Sequence, residues 1–302
     1  MIQDYKKISP TAVLVAGLRA KYTDMPYAKE IYKAARQITK PYFFVRTPSF
    51  VSHLARLAPR SINRIVFFES RYLSVDETLR NNAKGYAVVE IASGLSARGL
   101  EWARGNSVYI ETDLPGMLSI KQQVFNKVLQ ETGTVQNPNH HFYPLNALDC
   151  DDWDRLGKRF FDGKKNNIAV IHEGLASYLS REEKEKLRDN IKKFFENYSS
   201  SGIWITPDFY PYRKADRTWI VKMVEKRVEQ KTGRRYDHFF AGDKEVVEFL
   251  AQGGFQVLSS DSSFVLEQLT CIAKMHLDKE KVKKALKRFR VYSALSKTPS
   301  TM

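Results

Sequence analysis

One stretch of the sequence, GYAVVEIASGLSARGLEWA from Gly85 to Ala103, constrains the fold more than any other. It begins with an apolar run that ends at the acid Glu90, passes through a turn at Gly94, and then changes to a helical pattern. An apolar strand, a glycine turn and a helix in this order are typical of a parallel α/β sheet, whose ligands bind at such turns. The sequence therefore predicts a ligand-binding turn around Gly94.

Three functions of this turn can be compared from its residues. A phosphate-binding turn needs several glycines or a GxxxxGK[ST] pattern, whereas Gly94 and Gly99 are the only glycines here and no lysine follows them. A nucleophile elbow needs GxSxG, but Arg98 stands where the last small residue belongs. The third possible function is to hold the cofactor of a class I methyltransferase, as the first turn of that fold does. Its cofactor, S-adenosylmethionine, has no phosphate, so one glycine for close backbone approach is enough, and Glu90 would face the cofactor's amino group.

A second acid supports the third interpretation. In doubly wound nucleotide-binding folds, a carboxylate about 20 residues after the glycine turn ends strand two and binds ribose hydroxyls. The β-rich segment SVYIETDLP contains Glu111 and Asp113, and Asp113 lies 19 residues after Gly94. A loop acid without a ligand would fit this segment equally well on its own. After the Gly94 turn, the spacing favours ribose binding by Asp113.

The charge of the chain raises the question of a nucleic-acid partner. The sequence has 302 residues, with 49 Lys and Arg against 34 Asp and Glu, which gives a net charge of +15. Residues 274–290 alone carry a net charge of +6, and Val282, Leu286 and Phe289 recur there at helical spacing. This pattern predicts an amphipathic helix with a solvated basic face. Because no nucleic-acid-binding motif accompanies it, a nucleic-acid partner is disfavoured.

Composition also indicates where the protein is located and whether it binds a metal. Hydrophobic residues make up 43% of the chain, which is enough for a large core, and no apolar run approaches the ~18 residues that span a bilayer. Cys150 and Cys271 are too few for a metal cluster or a disulfide framework. The acids between Asp149 and Asp154 lack the spacing of a calcium loop, and we interpret them as helix caps. We therefore expect a cytoplasmic protein without a metal and without a membrane association.

From Gly85 onward, strand-like and helical segments alternate, which is the signature of a parallel sheet covered by helices. The predicted strands are Tyr86–Ile91, Val108–Thr112, Phe142–Leu145, Ile168–His172, Ile203–Pro207, Gln256–Ser259 and Arg288–Leu295. The predicted helices between them include Lys121–Gln130, Ser180–Tyr198 and Lys244–Gln252. We expect one domain over residues 1–302, with a ligand-binding core over 81–302.

Two further segments are expected to cover the ligand site. Four short helices, separated by prolines, are predicted before residue 80: Thr11–Ala20, Tyr27–Gln37, Phe50–Leu57 and Ser74–Arg80. They predict a helical N-terminal layer over residues 1–80 at the sheet's carboxyl edge. Between the fifth and sixth strands, residues 208–243 form a connection rich in charge and aromatic residues. A connection of that length predicts a lid or substrate-binding insertion.

Four segments in order, over roughly residues 9–260, resemble the leucine carboxyl methyltransferase family, including bacterial members that methylate polyketide acids. They are SPTAVLVAGLRA, VVEIASGLSARGLEWA, YIETDLPGMLSIK and IHEGLASYLSREEKEKL. The resemblance implies a Rossmann-like class I methyltransferase fold, with a seven-stranded, mostly parallel sheet whose last strand is antiparallel. It also implies S-adenosylmethionine as the cofactor and O-methylation, in particular of a carboxylate.

The resemblance also assigns roles to individual residues. It implies that Gly94 lines the methionine part of the cofactor, that Asp113 binds the ribose, and that Glu173 contacts the cofactor. Arg71 is similar to a family arginine that pairs with the cofactor's carboxylate, a role that suits the planar guanidinium. Near the adenine, Asn146-Ala147 stands where the family has Asp-Leu, and the Asn146 amide oxygen can still accept a bond from the adenine amino group.

The acceptor chemistry explains why no catalytic residue is predicted. A carboxylate acceptor is ionised at pH 7 and needs no general base, and the acceptor can be a small-molecule acid or a peptide carboxylate. To hold that acceptor we predict Tyr210, Tyr212 and Arg213, which follow the fifth strand. The histidines at 140 and 141 are interpreted as polar loop residues. The alternatives left open are a serine hydrolase that uses Ser96 and a basic nucleic-acid-binding module.

Overall fold

The computed structural model describes residues 9–39, 59–102, 107–163, 166–209, 226, 229 and 239–296. Within these residues, seven strands form a single sheet. The strands are β1 (Ala87–Ile91), β2 (Tyr109–Asp113), β3 (His140–Pro144), β4 (Asn166–His172), β5 (Ser199–Thr206), β6 (Phe255–Asp261) and β7 (Arg290–Ser296). Each lies within a few residues of a predicted strand.

The strands are arranged in the order β3-β2-β1-β4-β5-β7-β6. All neighbouring pairs from β3 to β5 are parallel, and β7 is antiparallel to both β5 and β6. This confirms the predicted sheet with its antiparallel last strand. The strand order reverses between β1 and β4, and the carboxyl ends of parallel strands at such a reversal border a ligand crevice.

The central strands are buried on both faces, which is why they appear in the sequence as apolar runs rather than as an alternation. Val89 and Ile91 of β1 face one large cluster of buried side chains that includes Trp204. Val88 of β1 and Ile171 of β4 face a second cluster on the opposite side of the sheet. The sheet therefore separates two apolar layers.

The described helices surround this sheet. They are α1 (Ser9–Tyr22), α2 (Ala28–Ile38), α3 (Pro59–Asn82), α4 (Arg98–Trp102), α5 (Pro115–Thr132), α6 (Cys150–Phe161), α7 (Arg181–Tyr198), α8 (Asp243–Gln252), α9 (Cys271–Met275) and α10 (Lys279–Leu286). Asp149 caps α6 by accepting bonds from the backbone of Asp151 and Asp152, so the interpretation of these acids as caps is confirmed there. Ser180 and Glu183 form a capping box at α7.

The N-terminal segment differs from its prediction at one helix. Ser74–Arg80 was predicted as a short helix, but it belongs to α3, which is 24 residues long. Val75 and Leu79 of α3 are buried in one cluster with side chains of the sheet, and α3 contacts β5 and β7. This tertiary contact extends a helix that local pattern alone makes short. The predicted helix Phe50–Leu57 lies outside the described residues.

Helices α1 and α2 lie over the end of β1. Val13 of α1 and Ile31 of α2 are buried with Leu95, which follows the Gly94 turn, and with Met117 of α5. The side chain of Ala12 lies beside the turn, at a distance where a Cβ added to Gly94 would make an ordinary van der Waals contact with it, at 3.7 Å. These two helices therefore place side chains directly above the predicted ligand turn.

The basic C-terminal segment forms an amphipathic helix, as its pattern predicts. Val282 and Leu286 of α10 are buried against α3, whereas Lys283, Lys284 and Lys287 are exposed. Among the described helices, none has the length and apolar character needed to cross a bilayer.

Candidate active site

The turn after β1 has an unusual backbone. Ala92 and Gly94 both have a φ of 50°, in the left-handed region that glycine adopts freely and alanine does not. The amide of Ser93 between them donates to the carbonyl of Thr112, at 2.9 Å. This bond ties the turn to the end of β2, so the left-handed residues are held in place by the neighbouring strand.

Asp113 contacts this turn directly. Its Oδ2 accepts a hydrogen bond from the amide of Gly94, and its Oδ1 accepts one from the amide of Leu114, both at 2.8 Å. Burial raises the pKa of Asp113 to about 6, although both backbone bonds act to lower it. The structure thus brings together Gly94 and Asp113, the two residues whose spacing suggested a cofactor site.

Glu173, just after β4, lies in a cluster with three arginines. Its Oε1 pairs with Arg19 at 2.5 Å and with Arg71 at 3.1 Å, and its Oε2 pairs with Arg98 at 3.2 Å. Burial acts to raise the pKa of Glu173, but the three guanidinium groups lower it below its ordinary value. Glu173 is therefore an ionised carboxylate at neutral pH.

Arg98 anchors this cluster from beneath the turn. It is fully buried, and it donates to Asp76 of α3 at 2.5 Å and to Glu90 of β1 at 2.6 Å. The second oxygen of Glu90 accepts the hydroxyl of Tyr109 at 2.8 Å. Glu90 faces α3 and holds Arg98; its predicted contact with the cofactor's amino group stays a prediction.

Asp208, which follows β5, shapes the loop that carries Glu173. Its carboxylate accepts the backbone amides of Gly174, Leu175 and Ala176 at 2.7, 2.7 and 3.1 Å. It also bonds Nδ1 of His172 at 2.9 Å. Burial acts to raise the pKa of Asp208, but the bond from His172, the charge of Arg71 and the amide of Gly174 lower it below its ordinary value.

His172 and Glu173 point to opposite sides of the strand end, as strand alternation predicts. The His172 ring lies against Trp204 and Phe209, whereas Glu173 meets the arginines. Arg19 lies in SPTAVLVAGLRA, one of the four segments that carry the resemblance, but its contact with Glu173 is not predicted there. Asp208 has no such signal, and both residues act through contacts with residues distant in the chain.

The loop after β3 contains Asn146 and Ala147, both half-buried. The Oδ1 of Asn146 accepts the amide of Leu148 at 3.1 Å, and a carbonyl oxygen has a second lone pair for another donor. The carbonyl of Ala147 accepts the indole of Trp153 at 2.9 Å and the amide of Asn190 at 3.1 Å. Bonds from Trp153 of α6 and Asn190 of α7 thus hold the loop. The amide of Leu145 joins it to the carbonyl of Asp113 at the end of β2, at 3.0 Å.

The remaining predicted residues give two outcomes. Tyr210, Tyr212 and Arg213, with most of the 208–243 insertion, lie outside the described residues. Ser96 is buried, and its hydroxyl accepts the amide of Arg98 at 3.3 Å. In the part of the chain that the structure describes, no histidine bonds Ser96 to make it a nucleophile.

Taken together, these groups match the parts of a nucleoside joined to an amino acid. A carboxylate beside guanidinium groups can bind a zwitterionic amino-acid head, and a carboxylate at the end of β2 can accept ribose hydroxyls. Two atoms at this edge, Oγ of Ser93 and Nε of Arg19, are buried without a hydrogen-bond partner among the described residues. A polar ligand would supply such partners, so the residues fit a ligand of this kind.

Residues 11–192 match the sequence profile of the leucine carboxyl methyltransferases. The chain belongs to the leucine carboxyl methyltransferase family. S-adenosylmethionine, the methyl donor of this family, is therefore its cofactor, and the chain is a methyltransferase with the family's Rossmann-like class I sheet.

Solved structures of distant similarity include two methyltransferases of cyanobacteria. Magnesium protoporphyrin IX methyltransferase from Synechocystis PCC 6803, with bound S-adenosylhomocysteine, is 14% identical; the match covers 88% of this chain and 94% of that one, with a TM-score of 0.46. For a putative O-methyltransferase from Nostoc punctiforme PCC 73102, the identity is 14%, the coverage 95% and 72%, and the TM-score 0.49. A comparison with curated proteins gives no match.

Proposed function

We propose that the chain transfers a methyl group from S-adenosylmethionine to a carboxylate and so forms a methyl ester. The observation that carries this proposal is the family match over residues 11–192. The acceptor that we propose is a small-molecule acid or a peptide carboxylate, and the domain that does this is the whole chain, residues 1–302.

The contacts around Glu173 support a site for the amino-acid end of the cofactor. We propose that Arg71, with Arg19 beside it, binds the carboxylate of the methionine part and that Glu173 binds its ammonium group. Because Arg71 and Glu173 lie 3.1 Å apart, the two charges of an amino-acid head can replace this ion pair at little electrostatic cost. Glu90 would act in the same site through Arg98, which it holds at 2.6 Å.

The turn and the next two strand ends support the site of the nucleoside. Gly94 would lie against the methionine part, and Asp113 would accept the two ribose hydroxyls. Asn146 and Ala147 would border the adenine, with the second lone pair of the Asn146 amide oxygen facing its amino group. The proposed cofactor site follows the carboxyl ends of β4, β1, β2 and β3, which are adjacent in the sheet.

The reaction requires little acid–base catalysis from the protein. When bound, the cofactor supplies a methyl group on a positively charged sulfur, which already makes that carbon electrophilic. An acceptor carboxylate is ionised at pH 7, so the protein has to align the two reactants and exclude water. We propose that Tyr210, Tyr212 and Arg213 of the insertion hold the acceptor. His172, which bonds Asp208 at 2.9 Å and faces away from Glu173, is not needed as a base.

The test uses the chemical weakness of a methyl ester. The purified chain is incubated with methyl-tritiated S-adenosylmethionine and a cell extract that serves as a pool of acceptors. A methyl ester releases volatile methanol in mild alkali, whereas ethers and N-methyl groups resist, so we expect the label to become volatile after brief base treatment. A label that stays fixed would contradict carboxyl methylation and would indicate a hydroxyl or nitrogen acceptor.

A further inference from the structure

The peptide unit between Ser93 and Gly94 is held at both of its polar ends. Its N–H donates to Oδ2 of Asp113 at 2.8 Å, and its carbonyl accepts a bond from Nζ of Lys121 at 3.3 Å. Asp113 thus holds one end of this peptide and Lys121 holds the other. A peptide flip would break both contacts at once, so these two side chains fix the orientation of the turn.

Lys121 reaches this carbonyl from inside the protein. It lies on α5 with its side chain fully buried, and its Nζ forms an ion pair with Oε2 of Glu111 on β2. The ring of Phe125, one turn further along α5, lies 5.1 Å from the same Nζ. Burial lowers the pKa of Lys121 to about 7. A buried lysine is costly unless it is paired, so this residue is unusual for a surface helix.

Glu111 is itself oriented by a second layer. Its Oε1 accepts a bond from Nε2 of His140 at 2.8 Å, so His140 is a buried residue of β3 and not the polar loop residue that the sequence suggests. Burial lowers the pKa of His140 to about 3, so the ring is neutral, and Nε2 carries the proton because a carboxylate can only accept. Gly99 leaves room for the pair, since a Cβ there would lie 2.5 Å from Nε2 of His140. Because His140 and Lys121 occupy its carboxylate, Glu111 is not an alternative ribose ligand to Asp113.

We propose that Lys121 is a positioning residue for the cofactor. It holds the Ser93–Gly94 peptide in the orientation in which the amide of Gly94 also donates to Asp113. This inference rests on the proposed function, because it assigns a role relative to the proposed contacts of Gly94 and Asp113. Lys121 touches neither the cofactor nor the acceptor in this account. Its effect passes through the Ser93 carbonyl alone.

The first test is Lys121→Met, which keeps the length and apolar stem of the side chain and removes its charge. Without this bond the Ser93–Gly94 peptide is free to adopt other orientations, and the apparent Kd rises as the binding-competent fraction falls. We expect S-adenosylhomocysteine to bind about tenfold more weakly, as measured by calorimetry. Lys127→Met is the matched control, since Lys127 lies on the same helix and is half-buried. The control should bind like the wild type.

Hydrogen–deuterium exchange separates positioning from general stability. In Lys121→Met, amides of residues 92–97 should exchange faster while those of the central strands β4 and β5 keep their protection. A merely structural lysine would leave the affinity of the folded protein unchanged or would raise exchange throughout the sheet, and either result would overturn the inference.

Two further outcomes are informative. If Lys121→Met does not fold, hydrogen–deuterium exchange in the wild-type protein tests the proposal instead. An amide of Gly94 held at both ends of its peptide should be protected before any ligand is added, and rapid exchange there would refute the proposal. If the wild type itself fails to bind S-adenosylhomocysteine at millimolar concentration, the proposed cofactor site fails, and the bonds of Lys121 lose their link to a ligand.

Discussion

Protonation of Asp113 should weaken cofactor binding in a pH range that is easy to reach. Burial raises the pKa of this carboxyl to about 6, so its acid form becomes populated as the pH falls below neutrality. Ribose hydroxyls donate to an ionised carboxylate, and a protonated one loses most of that acceptor strength. A pKa raised in the free protein therefore means that affinity is full above pH 7 and declines as the pH falls through 6.

The size of the effect follows from the pKa. With a pKa of about 6, the ionised fraction of Asp113 is about ten in eleven at pH 7 and about one in eleven at pH 5. If only the ionised form binds, the Kd should rise about tenfold between these values. Glu173 does not contribute, since the arginines lower its pKa and keep it ionised.

The assay is calorimetric titration with S-adenosylhomocysteine at pH 5, 6, 7 and 8, with Asp113→Asn as the matched variant. At pH 7 the variant should bind at least about tenfold more weakly, because each lost charge-assisted bond contributes about 1.5–3 kcal/mol. Its affinity should vary little below pH 7. Burial lowers the pKa of Lys121 to about 7, so Lys121 also titrates in this pH range. Its contribution is shared by the wild type and the variant, and the ratio of their Kd values at each pH removes it. A wild-type Kd unchanged from pH 7 to pH 5, or a variant with the same tenfold slope, would refute the ribose role of Asp113.

Two predictions concern the support beneath the site. Arg98→Met should lower the free energy of unfolding by roughly 3–5 kcal/mol in urea denaturation, because Asp76 and Glu90 would be left buried without their cation; a loss below 1 kcal/mol would contradict this. Gly99→Ala should lower it by about 1–3 kcal/mol, because the new Cβ would overlap Oε1 of Glu111. An unchanged urea midpoint would contradict this, because it would mean that Glu111 and His140 move aside without a loss of stability.

Much of the sheet was predictable because its information is local. Apolar runs at β1 and β4 mark strands buried on both faces, and the Gly94 turn followed by Asp113 marks the ends of two neighbouring parallel strands. The 2.8 Å hydrogen bond from the Gly94 amide to Asp113 shows that this spacing in the sequence brings the two residues into contact. Glu173 was also found from a local motif, and the structure places it against Arg71.

The contacts that the sequence did not reveal are those between distant charged residues. In the sequence, Arg98 only breaks the pattern of a nucleophile elbow, yet in the structure it is buried and joins Asp76, Glu90 and Glu173. Lys121 follows an ordinary helical pattern, and its partner Glu111 gives no local sign of pairing with it. Which charges meet inside a protein depends on how helices dock on the sheet, and periodicity does not encode that.

The central claim, that the cofactor lies along the strand ends from Glu173 to Asp113, is tested most directly by a crystal structure with S-adenosylhomocysteine bound. We predict the ribose hydroxyls within hydrogen-bonding distance of the Asp113 carboxylate, and the ligand's own carboxylate beside the guanidinium group of Arg71. Its ammonium group should lie at Glu173, with the Ser93–Gly94 peptide still bonded to Lys121. A ligand whose ribose lies away from Asp113, or whose carboxylate meets no arginine, would contradict the account.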